Sequence, residues 1–248
     1  MLAVLPELGL FLTIGLAVAV GGVVKGAFGI GFPAVVMSIL PFFVEPALAV
    51  TILALPIVVT NLQQLLSYPA WREVVRRFRI AGLSGAITIL IVSQFLDNAP
   101  TRFLALAIGF GLILFALTGL FKINLRAGEG PGWQLSVGIG SGVLGGLTAI
   151  KAPTMIYAAA LDLPRDVFVA VAGFLFLTTG VGLLTGLLFG SMLDAVTLPL
   201  SVAAVVAALA GFKIGEIVRK HLNPALFRKL LLWLMLLLGL RMVLVNLI

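Results

Sequence analysis

The sequence predicts an all-α integral membrane protein made of two inverted repeats, each a glycine-broken helical hairpin plus about three full transmembrane helices. Three observations predict it. First, 62% of the 248 residues are hydrophobic and only 10% are charged, where a soluble domain needs roughly 25% charged residues to keep its surface wet. Second, the chain repeats itself: GGVVKGAFGIGFPAVV (Gly21–Val36) aligns with SGVLGGLTAIKAPTMI (Ser141–Ile156), matching Gly22/Gly142, Val23/Val143, Gly26/Gly146, Ile30/Ile150 and Pro33/Pro153. Third, the basic residues of the loops segregate to one side only if the second copy is upside down.

The elements follow in order. Apolar segments run over residues 8–24, 26–43, 47–66, 80–96, 101–121, 133–150, 152–161, 167–190, 195–212 and 225–247. A spanning helix needs roughly 20 apolar residues, so about eight spans fill the chain and no soluble domain fits beside them. The segments 80–96, 101–121, 195–212 and 225–247 read as plain spans. The pairs 8–43 and 133–161 do not, because glycines, a lysine and a proline interrupt each of them. NAPTRF (Asn98–Phe103) and LNPALF (Leu222–Phe227) open corresponding long helices. The expected division is residues 1–125, a linker 126–132 (RAGEGPG) with surface composition, and residues 133–248.

Charge sets the orientation. If every break is a hairpin that returns to the side it entered, Arg72, Arg76, Arg77, Arg79, Lys122, Arg126, Arg165, Lys213, Arg219, Lys220, Arg228 and Lys229 share one side. Glu7, Glu45, Asp97 and Asp194 take the other, with Arg102 beside Asp97. Four plain crossings per half would split the basic residues evenly. The basic loops 72–79 and 213–229 are therefore expected in the cytoplasm and both termini outside. The net charge of +7 belongs to those loops, so no nucleic-acid partner is expected. No cleavable signal peptide is expected, since Glu7 stands where a basic region would be.

Composition also excludes chemistry. There is no cysteine, and the one histidine, His221, lies in a basic stretch between helices. Thiolate and histidine metal sites are out, and no metal or cofactor is expected. No Asp or Glu lies mid-segment, which argues against an intramembrane enzyme and removes the usual carboxylate for proton or sodium coupling.

What remains points to an anion. Lys25 and Lys151 lie well inside apolar stretches, where a charge costs a few kcal/mol at least; Lys25 is about 18 residues from Glu7 and farther from Glu45. The alternative is a lysine snorkelling from a shallow hairpin. Gly29 and Gly31 precede Phe32 and Pro33, and glycine lets an unwound backbone turn and approach a ligand. A broken helix presents backbone amides at the positive start of its returning half. Amides near Gly29–Phe32 and Thr148–Ile150, including Ala149, are expected to orient the anion, with Thr148 and Tyr157 as further donors. Asn61, Gln63 and Gln64, with Thr178 and Thr179 in the second half, complete the cavity or serve interhelical hydrogen bonds. For Gly138–Gly142 and Gly82–Gly85, close helix packing is the expected use. Arg241, deep in the last helix, fits an ion pair or outward snorkelling.

These motifs resemble the TauE/SafE family of sulfite exporters over essentially the whole chain. The matching stretches are GAFGIGFP (Gly26–Pro33), GGLTAIKAP (Gly145–Pro153), WREVVRRFRIAGLSGAI (Trp71–Ile87) and PALFRKLLLWLMLLLGLRMVL (Pro224–Leu244). The second copy departs from the triple-glycine form, with Thr148, Ala149 and Lys151 where glycines are common. The resemblance implies a secondary transporter for sulfite or organosulfonates, exporters and sulfonate uptake permeases included. Its expected partners are the small anion, the lipid bilayer and a second copy of the chain. A channel or facilitator for a small oxyanion is the alternative.

Overall fold

A computed structural model describes residues 4–121, 127–218 and 224–247. Lys122, just before the linker, Arg126 of the linker, and Arg219, Lys220 and His221 of the second basic loop lie outside the described residues, as does the side chain of Glu7. The described residues form helices α1 (Val4–Phe28), α2 (Phe32–Ile39, prolonged by a 3-10 turn Leu40–Phe42), α3 (Pro46–Leu66), α4 (Trp71–Ser93), α5 (Thr101–Leu120), α6 (Pro131–Thr148), α7 (Ala152–Ala160), α8 (Arg165–Phe189), α9 (Thr197–Val218) and α10 (Pro224–Leu247). No strand occurs among the described residues.

Six of these helices are long and apolar enough to cross a membrane: α1 from Gly9, α3, α5, α8, α9 and α10 from Arg228. Their unpacked faces carry exposed apolar side chains, such as Leu16 on α1, Val206 on α9 and Leu237 on α10. With lipid as the solvent those faces need no cover. Helix α4 lacks the uniform hydropathy because its first turns carry Arg72, Arg76, Arg77 and Arg79, yet it also runs from one end of the bundle to the other. Trp71 and Val75 pack on the same buried cluster as Leu163 and Ala127. Leu96 and Asp97, just beyond its far end, line a cavity of about 160 Å³ with Glu45, Thr101, Met192 and Thr197.

Glycines set the closest contacts. In α1, Gly22 lies against Ala208 and Phe212, and Gly26 against Phe212 and Glu216; from α9, Gly211 meets Ala19 and Gly215 meets Val23. The two helices therefore run parallel, with G-x-x-x-G faces pressed together. The exchanged pair does the same. Gly138 of α6 meets Ala81 and Ser84 of α4, Gly142 meets Gly85 and Thr88, and Gly146 meets Val92. Exchanging the repeats turns α1 with α9 into α6 with α4, and both pairs are present.

Two helices pack on their own repeat counterparts. Gly173 of α8 faces Gln64 and Leu65 of α3, whereas Gly180 faces Ile57 and Val58. Gly109 of α5 faces Gly239 and Val243 of α10, whereas Gly119 faces Leu232. Both pairs are antiparallel. A two-fold axis along the membrane normal preserves helix direction and one in the membrane plane reverses it, so this packing is compatible with the inverted arrangement.

Both breaks are hairpins. Gly21 of α1 lies against Val36 and Phe32 of α2, and Gly31 against Val24; Gly140 of α6 lies against Pro153, and Thr154 Oγ1 donates to Ser141 Oγ at 2.7 Å. The first hairpin starts and ends at the acidic end of the bundle, beside Glu45. The second starts and ends at the basic end, where Arg77 pairs with Glu129 and the Tyr157 hydroxyl donates to Gly128 O.

Backbone groups freed by kinks find partners, as hydrocarbon demands. Pro56 cannot donate to Ile52 O, and Ser201 of α9 donates to that oxygen at 2.9 Å. Helix α4 kinks at Phe78 (φ −110°, ψ 15°). Gln134 splices the opened rung: its Oε1 accepts from Ala81 N at 3.2 Å and its Nε2 donates to Arg77 O at 2.9 Å and Glu129 O at 2.7 Å.

Candidate anion site between the hairpin tips

The first tip begins with helix α1 continuing through Lys25, which occupies its last turn. Gly29 N donates to Lys25 O at 2.6 Å, and the chain reverses through Gly29 (φ 80°) and Gly31 (φ 96°). Both lie in the left-handed region that glycine enters freely. The second tip uses Ala149 (φ 58°) at the position matching Gly29. An L-residue there costs roughly 1–2 kcal/mol. Ala149 N donates to Gly145 O at 2.8 Å, and Ile150 N donates to Thr148 Oγ1 at 3.0 Å. Three of the amides expected to orient an anion, those of Gly29, Ala149 and Ile150, are therefore spent inside the turns. The amides left over are those of the first turn of α7, which have no intrahelical acceptor.

Each tip carries one lysine, in exchanged positions. In the repeat alignment Lys25 matches Gly145, and Lys151 matches Gly31. Gly145 makes room for the Lys151 stem: a Cβ there would meet Lys151 Cγ at 3.0 Å. Both lysines are buried, at 2% and 3% exposure, so neither snorkels out. Lys25 Nζ donates to Thr60 Oγ1 at 3.1 Å and to Asn61 Oδ1 at 2.6 Å. Those two oxygens are held as acceptors, because Thr60 donates its hydroxyl to Pro56 O and Asn61 its Nδ2 to Ile57 O. Lys151, at the N-cap of α7, has no hydrogen-bond partner for its Nζ, which stands 5.4 Å from the centre of the Phe176 ring.

The lysines converge. Because Gly173 faces Gln64 and Gly180 faces Ile57, Phe176 of α8 stands level with Thr60 and Asn61 of α3. The ammonium groups thus approach the same level of the α3/α8 crossing from opposite hairpins. Among the described residues neither has a carboxylate partner. Gln64, one turn nearer the basic end, donates Nε2 to Val169 O at 2.6 Å and has no partner for Oε1. The Val169 side chain is also what Gly29 packs against.

Other candidates sit elsewhere. Phe32 is fully buried against Gly21, facing back along the first hairpin. The Tyr157 hydroxyl bonds the linker carbonyl Gly128 O, and its ring meets Phe78 edge-on at 6.3 Å. Thr178 and Thr179 bond carbonyls of their own helix and pack against Gly82 and Gly85. Arg241 stacks over Phe42 at 4.5 Å, a cation–π contact. Thr60, a partner of Lys25, went unrecognised in the sequence although it stands beside Asn61 in an otherwise apolar helix. Phe176 carries no signal that separates it from other buried phenylalanines.

The family model for sulfite exporter TauE/SafE matches residues 14–242. The chain belongs to the TauE/SafE family. Comparison with curated proteins and with solved structures finds no match. Membership in TauE/SafE makes this a multi-pass membrane transporter of sulfur-containing anions, with a small anionic substrate and the bilayer as its partners.

Proposed function

We propose that the chain is a secondary carrier that binds sulfite or a small organosulfonate between the two hairpin tips and moves it across a bacterial inner membrane. The observation that carries this reading is the pair of buried lysines without a carboxylate. Two ammonium groups brought together in a dry interior repel each other, and an arriving anion offsets that cost. Lys151 supplies a free donor, Lys25 a second charge, and the first turns of α2 and α7 supply amides at positive helix ends. Asn61 and Thr60 hold Lys25 in place. The basic end is the cytoplasmic face, by the charge bias of its loops.

The near-complete burial of both lysines favours a carrier over an open channel. Purified protein in liposomes is predicted to show counterflow: internal unlabelled sulfite accelerates uptake of labelled sulfite. Flux that is linear in sulfite and indifferent to internal sulfite contradicts the carrier reading.

A further inference from the structure

We propose that Gln64 is the acceptor end of this site, and that it selects an oxyanion carrying its own proton. The inference rests on the anion site proposed above and narrows its substrate to hydrogen sulfite, since an organosulfonate anion has no O–H to donate. Gln64 is 5% exposed on α3, one helical turn toward the basic end from Thr60 and Asn61. Its amide orientation is determined by its surroundings. Nε2 donates to Val169 O at 2.6 Å, and a flipped amide would set two carbonyl oxygens against each other. Oε1 therefore faces away from Val169, and it has no donor. Gly173 leaves room for the amide, since a Cβ there would come 3.2 Å from Nε2 and 3.3 Å from Cγ.

Two buried side-chain atoms of the described residues lack a partner: Gln64 Oε1, an acceptor, and Lys151 Nζ, a donor. Lys151 Nζ stands at the level where Lys25 meets Thr60 and Asn61, and Gln64 lies one turn from it toward the basic end. A fully deprotonated oxyanion offers only acceptors and leaves Gln64 Oε1 unsatisfied. An oxyanion with one hydroxyl satisfies both ends, its charged oxygen on Lys151 and its O–H donated to Gln64. Among the described residues the site holds no carboxylate, and an oxyanion bound through its own O–H takes that proton across with it. Such a carrier moves an acid equivalent with each anion.

Two monoanions of the same shape test this: hydrogen sulfite, HO–SO2⁻, and methanesulfinate, CH3–SO2⁻. Their affinities for the purified protein are measured by calorimetry at a mildly acidic pH, where hydrogen sulfite is the main form. Leaving a buried acceptor unpaired weakens binding by about tenfold, so hydrogen sulfite is expected to bind about tenfold more tightly. Gln64→Leu is expected to bring the ratio near one by weakening hydrogen sulfite alone. Equal affinities in the native protein overturn the proposal while leaving the anion site standing. Equal affinities that sodium tightens also overturn it, assigning Oε1 to a cation. Failure of both anions to bind overturns the reading on which it rests.

Discussion

Replacing Lys151 by methionine should make the empty protein more stable. Methionine keeps the apolar stem that lies against Gly145 and removes an ammonium group with no hydrogen-bond partner at 3% exposure. A lysine at the centre of a spanning segment costs about 2.5–3.5 kcal/mol on insertion scales. The lost contact with the Phe176 ring, at 5.4 Å, returns about 0.5–2 kcal/mol of that. The net expectation is a gain of about 0.5–3 kcal/mol in Lys151→Met. Lys25→Met removes the same charge but orphans Asn61 Oδ1, which costs about 1–3 kcal/mol, so its stability should stay near native. Denaturant unfolding of ligand-free protein in micelles, followed by circular dichroism, reads both. A destabilised Lys151→Met, or equal shifts in the two variants, would refute the claim that Lys151 waits uncompensated.

Three further expectations concern the scaffold. Gly215→Leu places a Cβ 2.1 Å from Val23 O, so α1 and α9 must part at a cost of about 1–3 kcal/mol, seen as a lowered unfolding midpoint; an unchanged midpoint contradicts the close seam. Gln134→Leu orphans Ala81 N and Arg77 O at the α4 kink and should cost about 2 kcal/mol or more; if unfolding is unchanged, Gln134 does not splice that rung. The Asp194 carboxyl is held below the usual carboxylate range, chiefly by the backbone N–H of Thr197 and then by its hydroxyl. Its depressed value means that the capping contribution is full above the usual carboxylate range and is lost as pH falls through the lowered value. Protection of the Val196 and Thr197 amides, taken relative to the intrinsic exchange rate at each pH, should therefore fall only in strong acid, and in Asp194→Asn that fall should vanish.

Much of the fold is legible in the sequence because lipid imposes a coarse rule. Length and hydropathy mark the spans, and the Gly22/Gly142 to Pro33/Pro153 alignment marks the two hairpins. The break itself is narrower than its composition suggests: α1 absorbs Lys25 and Gly26, and only Gly29–Gly31 leave the helix. Glycine spacing shows that helices pack, but which glycine face meets which is a tertiary outcome. Gly22 and Gly26 meet α9 of the other repeat, so each hairpin is clasped by the opposite half. For the site, a lysine inside an apolar run is visible because of its cost, and so is Asn61. The convergence of Lys25 and Lys151 depends on the antiparallel α3/α8 contact, which no local pattern encodes. Nor does local pattern reveal that Tyr157 is spent on the linker or that Thr148 caps its own turn.

The central claim is that an anion is held between Lys25 and Lys151. Calorimetric titration of sulfite into the purified native protein and into Lys151→Met tests it most directly. Saturable binding to the native protein and none to a folded Lys151→Met is the predicted result. Sulfite binding with the same affinity in both would contradict it.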